Sequence, residues 1–452
     1  MNYAYYKKLK SNLKKENLEL TKEIYNESNK VINSYWKYTD ACKLYIKCLR
    51  VFKLFNKLQL RFLKNIFFKL IYIFFDKKIR VVFFVNEYST FPAIKSVYDE
   101  MNNDKSFMCD LVHIPFNHSN KTNSIENEIN DYYENGYNEI IESDDYDLTK
   151  KSPDIVIYLK PYDLIPKQFY IDEIEKVVDR IIYIPYGVNT VDDEEIYKYA
   201  YSLPIENKSW MYVSHCKHDK RMAEKYSINR GKNFFVIGHP KMDLIYEDLS
   251  NKPLYQDIIK RANGRKIFLY NPHHSVNENY KWGTFKLFGL DILKYFNDNK
   301  DVFLIYRPHP LLYGALQKEY SNNKEFFKKY EKLLDSENIF YDNTGDYLVS
   351  MHLADYMISD ANSFVSEFTF YNKPVIYTMF PNNNKICNKD LKSIIYVARN
   401  LNETFNYIEK LKNDIDPLKQ KRIKKIKTIF KYDENNRVCN KIVEIIKKEF
   451  YN

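Results

Sequence analysis

The chain has 452 residues, of which 45% are hydrophobic and 29% charged, and its formal net charge is +10. This length exceeds what one hydrophobic core usually organises, and the apolar content excludes a largely disordered chain, so we expect two domains and an appendage. The charge is uneven, because residues 1–80 hold 19 Lys and Arg against 6 Asp and Glu, a larger surplus than that of the whole chain. The remainder is therefore slightly acidic, which argues against nucleic acid as a partner.

Glycine and cysteine usage narrow the possible chemistry. The 9 glycines form no G-x-G-x-x-G or Walker loop, so phosphate binding must use helix N-termini and side chains. The 6 cysteines are scattered without a Cys-x-x-Cys pair, which is typical of a reducing compartment. His215–His218 contains metal-ligating side chains, but no second cluster accompanies it, so we expect no metal and no other cofactor.

Residues 1–79 predict a basic, amphipathic helical extension. Lysines and arginines recur every three to four residues from Lys43 to Lys64, and aromatic and aliphatic residues fill the rest of the helix surface. Two interpretations stay open: the helix packs on its own domain, or residues 40–75 lie on an anionic membrane surface. The longest apolar run, Ile66–Phe75, is too short to span a bilayer. The chain start lacks the apolar stretch of a signal peptide, so we expect a cytoplasmic protein, peripheral on the inner face of the cell membrane.

The body of the chain begins with alternating strands and helices over residues 80–232. The predicted strands are the apolar runs Val81–Val85, Leu111–Ile114, Ile155–Tyr158 and Ile181–Ile184. Continuous apolar runs suit strands that are buried on both faces, and their alternation with helices predicts a parallel, Rossmann-like sheet.

A second alternating set covers residues 233–430, and a last helix lies in residues 431–452. Its predicted strands are Phe234–Ile237, Ile267–Tyr270, the runs that end at Tyr306 and Ser359, and Val375–Tyr377. Two consecutive doubly wound domains imply a cleft between them, where ligands bind. We expect the last helix to pack back on the body.

Polar clusters follow four strands of the second set. They are Gly238–Asp243, Asn271–Ser275, Arg307–Pro310 and Ser359–Ser363. One such cluster is explained by an ordinary turn, since Pro, Asn, Asp and Ser favour turns. Four clusters, three of them with histidine, predict a ligand site, because open α/β sheets bind ligands beyond the carboxyl ends of their strands.

Several side chains in these clusters suit a diphosphate. His309 lies between two prolines, and together with Arg307 it can hold a diphosphate and stabilise it as a leaving group. Ser363 opens a helix, whose free N–H groups bind phosphate. Glu367 lies one turn further and can accept ribose hydroxyls, while Asp360 can orient the loop or the acceptor. The structural alternatives are a strand-end histidine, a helix cap, a solvated carboxylate and an Asx turn.

The first domain offers weaker signals. Glu87 follows the first strand and is the best-placed carboxylate for a general base, although a surface glutamate in a loop is the ordinary explanation. Tyr183–Val188 ends a strand with a turn that points into the expected cleft.

These clusters, in this order, resemble the CDP-glycerol glycerophosphotransferase family, the teichoic-acid polymerases and primases with a GT-B fold. The similarity covers residues 80–445 and is densest after Asn233. Gly238–Asp243 is similar to the family's Gly-x-Pro-Arg/Lys-x-Asp segment, and Tyr270–His273 to its Tyr-x-Pro-Thr segment. Arg307–Pro310 resembles the His-Pro motif, and Ser359–Ser363 the Ser/Thr-Asp-Tyr-Ser-Ser motif.

The resemblance implies an α/β, GT-B architecture: two Rossmann-like doubly wound domains that face a cleft, preceded by the helical extension. It places the nucleotide donor in the second domain, the acceptor in the first, and no essential metal between them. By this resemblance His309 and Ser363 contact the donor's diphosphate. The residues that we expect to bind the donor are Arg307, Asp360, Ser363, Glu367, His239 and His273.

One departure from the family pattern concerns the general base. The family carries a His-Gly motif in its first domain, and Tyr186 stands in the histidine position here. A tyrosine with an ordinary pKa near 10 is a poor base at neutral pH, so either another residue such as Glu87 takes this role or the reaction differs from glycerophosphate polymerisation. The candidate catalytic residues are His309, Glu87 and Tyr186. We expect transfer of a glycosyl or glycerol-phosphate group from a nucleotide-activated donor to a cell-surface polysaccharide or lipid-linked acceptor. The alternatives are a nucleotide-sugar epimerase and a non-catalytic nucleotide-sugar-binding or scaffold protein.

Overall fold

The computed structural model describes residues 78–117, 124–188, 192–276, 282–360, 362–381, 383, 389–430 and 435–451. The predicted extension over residues 1–79 lies almost wholly outside these described residues, so its helices and its membrane contact stay predictions. Within the described ranges, no helix is long and apolar enough to cross a membrane.

The first sheet has seven parallel strands in the order β3-β2-β1-β4-β5-β6-β7. They are β1 (Ile79–Val85), β2 (Phe107–His113), β3 (Ile141–Glu142), β4 (Ile155–Tyr158), β5 (Arg180–Tyr183), β6 (Met211–Ser214) and β7 (Phe234–Val236). Phe83 of β1 lies opposite Leu111 on one side and Ile157 on the other. All residues of β4, β5 and β6 are buried, as expected of parallel strands that are covered on both faces.

Helices cover both faces of this sheet. They are α1 (Lys95–Asn102), α2 (Ile125–Glu134), α3 (Leu148–Lys151), α4 (Ile171–Ile174), α5 (Glu194–Ala200), α6 (Pro204–Lys208) and α7 (Lys217–Tyr226). Short 3-10 helices lie at Tyr88–Ala93, Ser143–Asp145 and Lys167–Phe169.

The second sheet has six parallel strands in the order β10-β9-β8-β11-β12-β13. They are β8 (Lys266–Asn271), β9 (Val302–Tyr306), β10 (Ile339–Tyr341), β11 (Tyr356–Ser359), β12 (Val375–Thr378) and β13 (Tyr396–Ala398). Strand β8 lies between β9 and β11, with Tyr270 opposite both Tyr306 and Ile358. The polar clusters that follow these three strands therefore begin side by side.

The remaining helices surround the second sheet or return to the first. A 3-10 helix at Pro240–Tyr246 comes before the second sheet in the chain. A π-helix lies at Phe285–Gly289, directly before the α-helix that begins at Leu290. The α-helices are α8 (Pro253–Ala262), α9 (Leu290–Asp298), α10 (Leu312–Glu319), α11 (Lys324–Leu334), α12 (Leu348–Leu353), α13 (Asn362–Phe370), α14 (Lys389–Lys392), α15 (Leu401–Lys412), α16 (Lys419–Phe430) and α17 (Val438–Tyr451).

One predicted strand belongs to the other sheet. The run at Phe234 was expected to open the second domain at residue 233, yet β7 pairs in parallel with β6, with Val213 opposite Phe235. The change of sheet therefore falls after Val236, and Gly238–Asp243 joins the two domains instead of following a strand of the second sheet. Periodicity cannot detect this, because a buried parallel strand looks the same in either sheet.

The last helix crosses back to the first domain. Its buried face repeats every three to four residues and joins the core of the first sheet through Val438, Cys439, Ile442, Val443, Ile446 and Phe450. Asp243 accepts hydrogen bonds at 2.9 Å from the N–H groups of Val438 and Cys439, which are among the unpaired donors of the first turn of α17. The connection between the domains and the start of α17 are thus held by one carboxylate.

Candidate functional site

The carboxyl ends of the two sheets meet across a narrow gap. Gly187 lies four residues beyond Tyr183, the last residue of β5, and Ser363 lies at the start of α13, shortly after β11. A methyl group added at Gly187 would lie 3.4 Å from Ser363 Cβ and 3.9 Å from its hydroxyl oxygen. The strand ends of the first domain therefore face the strand ends of the second, as the sequence predicted for a cleft site.

Three histidines lie together at the carboxyl edge of the second sheet. His273 and His274 follow β8, and His309 follows β9. The ring centroids of His274 and His309 are 4.4 Å apart, those of His273 and His274 are 4.2 Å apart, and those of His273 and His309 are 5.6 Å apart. The His-Pro cluster and the Asn-Pro-His-His cluster thus form one group, which we call the histidine cluster.

Two members of the histidine cluster, His273 and His309, are held neutral. Burial lowers the pKa of His309 from its ordinary 6.5 to about 3, and the neighbouring His274 adds to this effect. The pKa of His273 is also lowered to about 3, first by burial and then by His274 and His309. The N–H of Leu311 donates to Nδ1 of His309 at 3.1 Å, and the N–H of Ser275 donates to Nδ1 of His273 at 3.2 Å. Each neutral ring therefore carries its proton on Nε2, where it can donate to an anion.

Asp360 fixes the loop that carries the cluster. It is 2% exposed and accepts hydrogen bonds from the N–H of His273 at 2.6 Å and from the hydroxyl of Thr284 at 2.8 Å. Burial raises its pKa to about 6, against the lowering effect of these hydrogen bonds. Of the two roles predicted for Asp360, the contacts support orientation of the loop.

Arg307 points away from the histidine cluster. Its guanidinium lies 2.8 Å from the buried carboxylate of Asp342, beyond β10, and donates to the carbonyl of Thr344 at 2.7 Å. The predicted contact between Arg307 and the donor is therefore not made in this conformation, because the guanidinium is already paired with a buried carboxylate. Arg307 instead holds the loop that follows the neighbouring strand.

Glu367 lies in a buried ion pair that spans the connection between domains. Its carboxylate is 2.8 Å from Nζ of Lys241 and accepts a hydrogen bond from the phenol of Tyr347 at 3.1 Å. Lys241 is 7% exposed and Glu367 is 4% exposed, so neither charge is solvated. The solvated-carboxylate alternative for Glu367 is wrong, and the residue is rigidly placed one turn after Ser363.

His239 is an interior residue. It is fully buried, its Nε2 donates to the carbonyl of Pro185 at 2.8 Å, and its Nδ1 accepts from the N–H of Lys241 at 3.3 Å. Burial lowers its pKa well below the ordinary value, so the ring is neutral. Both nitrogens are occupied by backbone groups, and the predicted donor contact of His239 is not made. The residue anchors the Tyr183–Val188 turn to the connection between the domains.

The first domain presents a carboxylate that is clamped by a lysine. Both oxygens of Glu87, after β1, lie 2.6 Å from Nζ of Lys160, after β4. The Lys160 side chain is 8% exposed and lies over the ring of Phe116, 3.7 Å from its centroid. Glu87 itself is about one-third exposed, so a molecule in solution can reach its carboxylate.

Two tyrosines complete this side. Tyr186 is 37% exposed, and its phenol is hydrogen-bonded to that of Tyr162, in the loop after β4. Burial raises the pKa of both phenols, and the nearby Glu87 carboxylate raises that of Tyr186 further. Both phenols are therefore neutral at physiological pH, and a neutral phenol is a poor general base.

Sequence reasoning missed Lys160, Tyr162 and His274. Lys160-Pro-Tyr162 follows the apolar run of β4 just as the selected clusters follow theirs, and this position was the available signal. His274 adjoins His273, but its contact with His309 depends on the pairing of β8 with β9, which the sequence alone does not reveal.

A cavity of about 500 Å³ lies elsewhere, between α1 and the connection that contains Asp243. Its lining includes Lys95, Asp99, Glu247 and Arg437, and none of the predicted site residues. It is therefore separate from the gap between the strand ends.

Solved structures with a similar fold are enzymes that act on nucleotide-activated substrates. A UDP-GlcNAc 2-epimerase from Methanocaldococcus jannaschii, in complex with UDP-GlcNAc and UDP, is 14% identical, with a TM-score of 0.57 over 82% of this chain and 100% of that one. The wall teichoic acid polymerase TagF is 14% identical, with a TM-score of 0.53 over 87% of this chain and 97% of that one. At these identities the likeness concerns the fold alone. The two facing parallel sheets define a GT-B enzyme, which confirms the predicted fold class.

The family is given by the sequence. The model of the family "CDP-Glycerol:Poly(glycerophosphate) glycerophosphotransferase" matches residues 190–448, more than half of the chain. The chain belongs to this family, as predicted. No curated protein matches it. The protein is accordingly a transferase of the glycerophosphotransferase type, connected with teichoic acid, and it uses a nucleotide-activated donor.

Proposed function

We propose that the protein transfers the glycerol-phosphate group of CDP-glycerol to a hydroxyl group of a polysaccharide or lipid-linked, teichoic-acid-like acceptor. The observation that carries this proposal is the histidine cluster at one sheet edge, opposite the Glu87 carboxylate at the other. A group of neutral N–H donors on one side and a carboxylate on the other suits attack by a hydroxyl on a diphosphate.

The donor's diphosphate lies on the second domain in this proposal. Nε2–H groups of His309 and His273 donate to its oxygens, and the first turn of α13, at Ser363, contributes unpaired backbone N–H groups. Glu367, one turn further along α13 and paired with Lys241, accepts the ribose hydroxyls. The imidazoles gain positive charge as the anion binds, because an adjacent negative charge favours protonation.

The transfer step uses one carboxylate on the first domain. The acceptor hydroxyl gives its proton to Glu87 while its oxygen attacks the phosphorus that carries glycerol. One P–O bond forms, the P–O bond to CMP breaks, and CMP leaves with the electron pair, stabilised by His309. In the family pattern a histidine at the position of Tyr186 is the general base, and here Glu87 takes that role. The phenol of Tyr186 is neutral and does not accept the proton.

Three predicted donor residues act as supports in this scheme. Asp360 holds the loop of His273 and Thr284, Arg307 holds the loop of Thr344, and His239 holds the turn that ends in Tyr186. Each places a contacting group without contacting the donor.

We further propose that the enzyme works at the cytoplasmic face of the membrane, where residues 40–75 bind anionic lipid and bring the site to a lipid-linked acceptor. The amphipathic basic pattern of this segment supports the proposal. Closure of the two domains then excludes water, which would otherwise compete with the acceptor hydroxyl.

Binding and transfer test the function separately. The full chain is heated with CDP-glycerol, CMP, UDP-GlcNAc and GDP-sugars, and CDP-glycerol is expected to raise the melting temperature most. Release of CMP is then measured with and without acceptor, and release is expected to require the acceptor. Turnover of UDP-GlcNAc without an acceptor would support the epimerase alternative, and tight binding without transfer the scaffold alternative.

A further inference from the structure

Two residues beside the proposed base, Lys160 and Tyr162, have no role in the transfer step described above. Together with Glu87 and Tyr186 they form a surface at the ends of β1, β4 and β5, which we call the acceptor wall. These three strands are neighbours in the sheet, since β1 and β5 both pair with β4. The wall faces the donor half, because Gly187, next to Tyr186, lies against Ser363.

The charge of the acceptor wall does not suit a phosphate. Within the loops that follow these strands, residues 86–90, 159–165 and 184–188, Lys160 is the single cationic side chain, and Glu87 and Asp163 are the acidic ones. The ammonium of Lys160 is already neutralised by both oxygens of Glu87. A phosphate placed here would meet a net negative surface.

The histidines of the first sheet are also turned to other partners. His113, at the end of β2, lies 3.0 Å from the buried carboxylate of Glu128. His215, directly after β6, is 3% exposed and lies 3.7 Å from the carboxylate of Asp219. Neither offers the acceptor wall a replacement for the histidine that Tyr186 displaces.

The remaining chemistry of the wall suits a ring with hydroxyl groups. Tyr186 presents a partly exposed aromatic ring, and the C–H face of a pyranose packs on such a ring through dispersion. The hydrogen-bonded phenols of Tyr162 and Tyr186 are neutral, and each can donate to or accept from a sugar hydroxyl. Glu87 accepts a hydrogen bond from the hydroxyl that reacts.

Lys160 fixes the direction of the Glu87 carboxylate. It bridges both carboxylate oxygens and is itself held between Glu87 and the ring of Phe116. A carboxylate held in this way keeps one orientation toward the ring on Tyr186, whereas a free glutamate would sample several rotamers. Lys160 is thus a positioning residue.

We propose that the acceptor wall binds a sugar ring, so that the reactive hydroxyl belongs to a glycosyl end of the acceptor and not to a glycerol-phosphate end. Tyr186 and Tyr162 hold the ring, Glu87 takes the proton of its hydroxyl, and Lys160 orients Glu87. This inference rests on the proposed function, since it assumes that glycerol phosphate is transferred from CDP-glycerol.

Matched acceptors test the inference. Octyl glycosides of hexoses and N-acetylhexosamines are compared with an octyl-linked glycerol-phosphate trimer, with CDP-glycerol as donor and CMP release as the readout. The best glycoside is expected to have a kcat/KM at least about tenfold above that of the trimer. Transfer to the trimer at an equal or higher kcat/KM overturns the inference.

Variants locate the preference in the wall. Tyr186→Leu is expected to raise the KM for the glycoside by about 2- to 12-fold, the range expected from loss of an aromatic contact, whereas Tyr186→Phe keeps the ring, loses only the phenol hydroxyl and is expected to raise the KM less. Tyr133→Leu, which removes another exposed tyrosine on α2, is the control. An unchanged KM in Tyr186→Leu, or an equal change for both acceptors, overturns the role of the ring.

The positioning role has its own readout. Lys160→Met is expected to lower kcat by about 10- to 100-fold at nearly unchanged glycoside KM, and Lys160→Arg to restore most of it, because a guanidinium also bridges both carboxylate oxygens. A fall in kcat that Lys160→Arg does not rescue contradicts this role. Failure of the proposed function is distinguishable, because CDP-glycerol would then either fail to raise the melting temperature of the unsubstituted protein or raise it without transfer to either acceptor.

Discussion

The two sides of the gap differ in the kind of side chain that they present. On the second domain, His273, His274 and His309 lie in one cluster, and partial burial keeps His273 and His309 neutral. On the first domain, the Glu87 carboxylate forms an ion pair with Lys160. His273 and His309 can therefore gain charge when an anion arrives, whereas Lys160 holds the Glu87 carboxylate in one direction before the acceptor binds.

This difference matches the two partners of a transfer reaction. A diphosphate brings negative charge and becomes more negative as it leaves, so a site that takes up protons on binding is suited to it. An acceptor hydroxyl is neutral and needs a base at a defined angle, so a site held rigidly is suited to it. Each prediction below changes one side and states what the other side must keep.

The largest effect is expected from the donor side. His309→Asn removes the proposed contact to the leaving group, and kcat should fall by about 10²- to 10⁴-fold, while the melting temperature without donor stays close to that of the unsubstituted protein. CMP release with the acceptor measures kcat. The control is His352→Asn, which removes a half-buried imidazole of α12, before β11, on the opposite edge of the sheet. Full activity in His309→Asn would rule out its role.

On the acceptor side, Glu87→Gln should lower kcat by about 10²-fold or more and leave the affinity for CDP-glycerol unchanged, because the donor half is intact. Titration calorimetry gives the affinity and CMP release gives kcat. Asp163→Asn, an exposed carboxylate of the same group of loops, is the matched control and should retain activity. Equal loss of donor affinity in Glu87→Gln would show that the two sides are not separate.

The connection between the sides depends on a buried ion pair. Lys241→Met leaves the Glu367 carboxylate buried without its ammonium, and the free energy of unfolding should fall by about 3–5 kcal/mol. The double variant Lys241→Met, Glu367→Gln should recover part of this loss, since no charge is then left unpaired. Denaturation in urea measures both.

The control for this pair is Lys252→Met, whose partner is Asp346. That pair is partly exposed, and its loss should cost about 1 kcal/mol or less. Equal costs at Lys241 and Lys252 would contradict the view that burial makes the Lys241 pair important.

The smallest effect concerns pH and separates the two sides by titration. The folded protein keeps His309 neutral down to a pKa of about 3, whereas the unfolded chain takes up this proton near 6.5. The unfolded state therefore binds more protons between these values, and the free energy of unfolding falls as pH falls, by at most about 1.4 kcal/mol per pH unit for this one group. Asp360, whose pKa is raised from 3.8 to about 6, acts with the opposite sign within its own window.

Comparison of variants isolates the histidine contribution. Between pH 6.5 and 5, His309→Asn should lose less stability than the unsubstituted protein. Tyr186→Phe should lose as much as the unsubstituted protein, since the phenol of Tyr186 does not titrate in this range. Urea denaturation at each pH measures the slopes. A His309→Asn slope identical to that of the unsubstituted protein would mean that the imidazole is not kept neutral by the fold.

Much of the fold follows from local pattern. The strand runs at Val81, Ile155, Ile181 and Ile267 were predicted because an apolar run bounded by turn residues suits a strand buried on both faces. Shorter strands escaped, among them β6, β10 and β13, which have three or four residues and depend on neighbours already in place. The family and its transferase class were also predicted from the motifs at the strand ends, and both are confirmed.

The sequence by itself determined which residues stand at strand ends, because hydrophobic runs and the turn residues after them are local features. The tertiary structure alone decided what those residues do. In the folded chain Arg307 pairs with Asp342, and His239 is buried. Glu367 pairs with Lys241, and the rings of His274 and His309 are in contact. The physical reason is that a polar side chain at a buried edge takes whichever partner strand order brings within reach, and strand order is a long-range property.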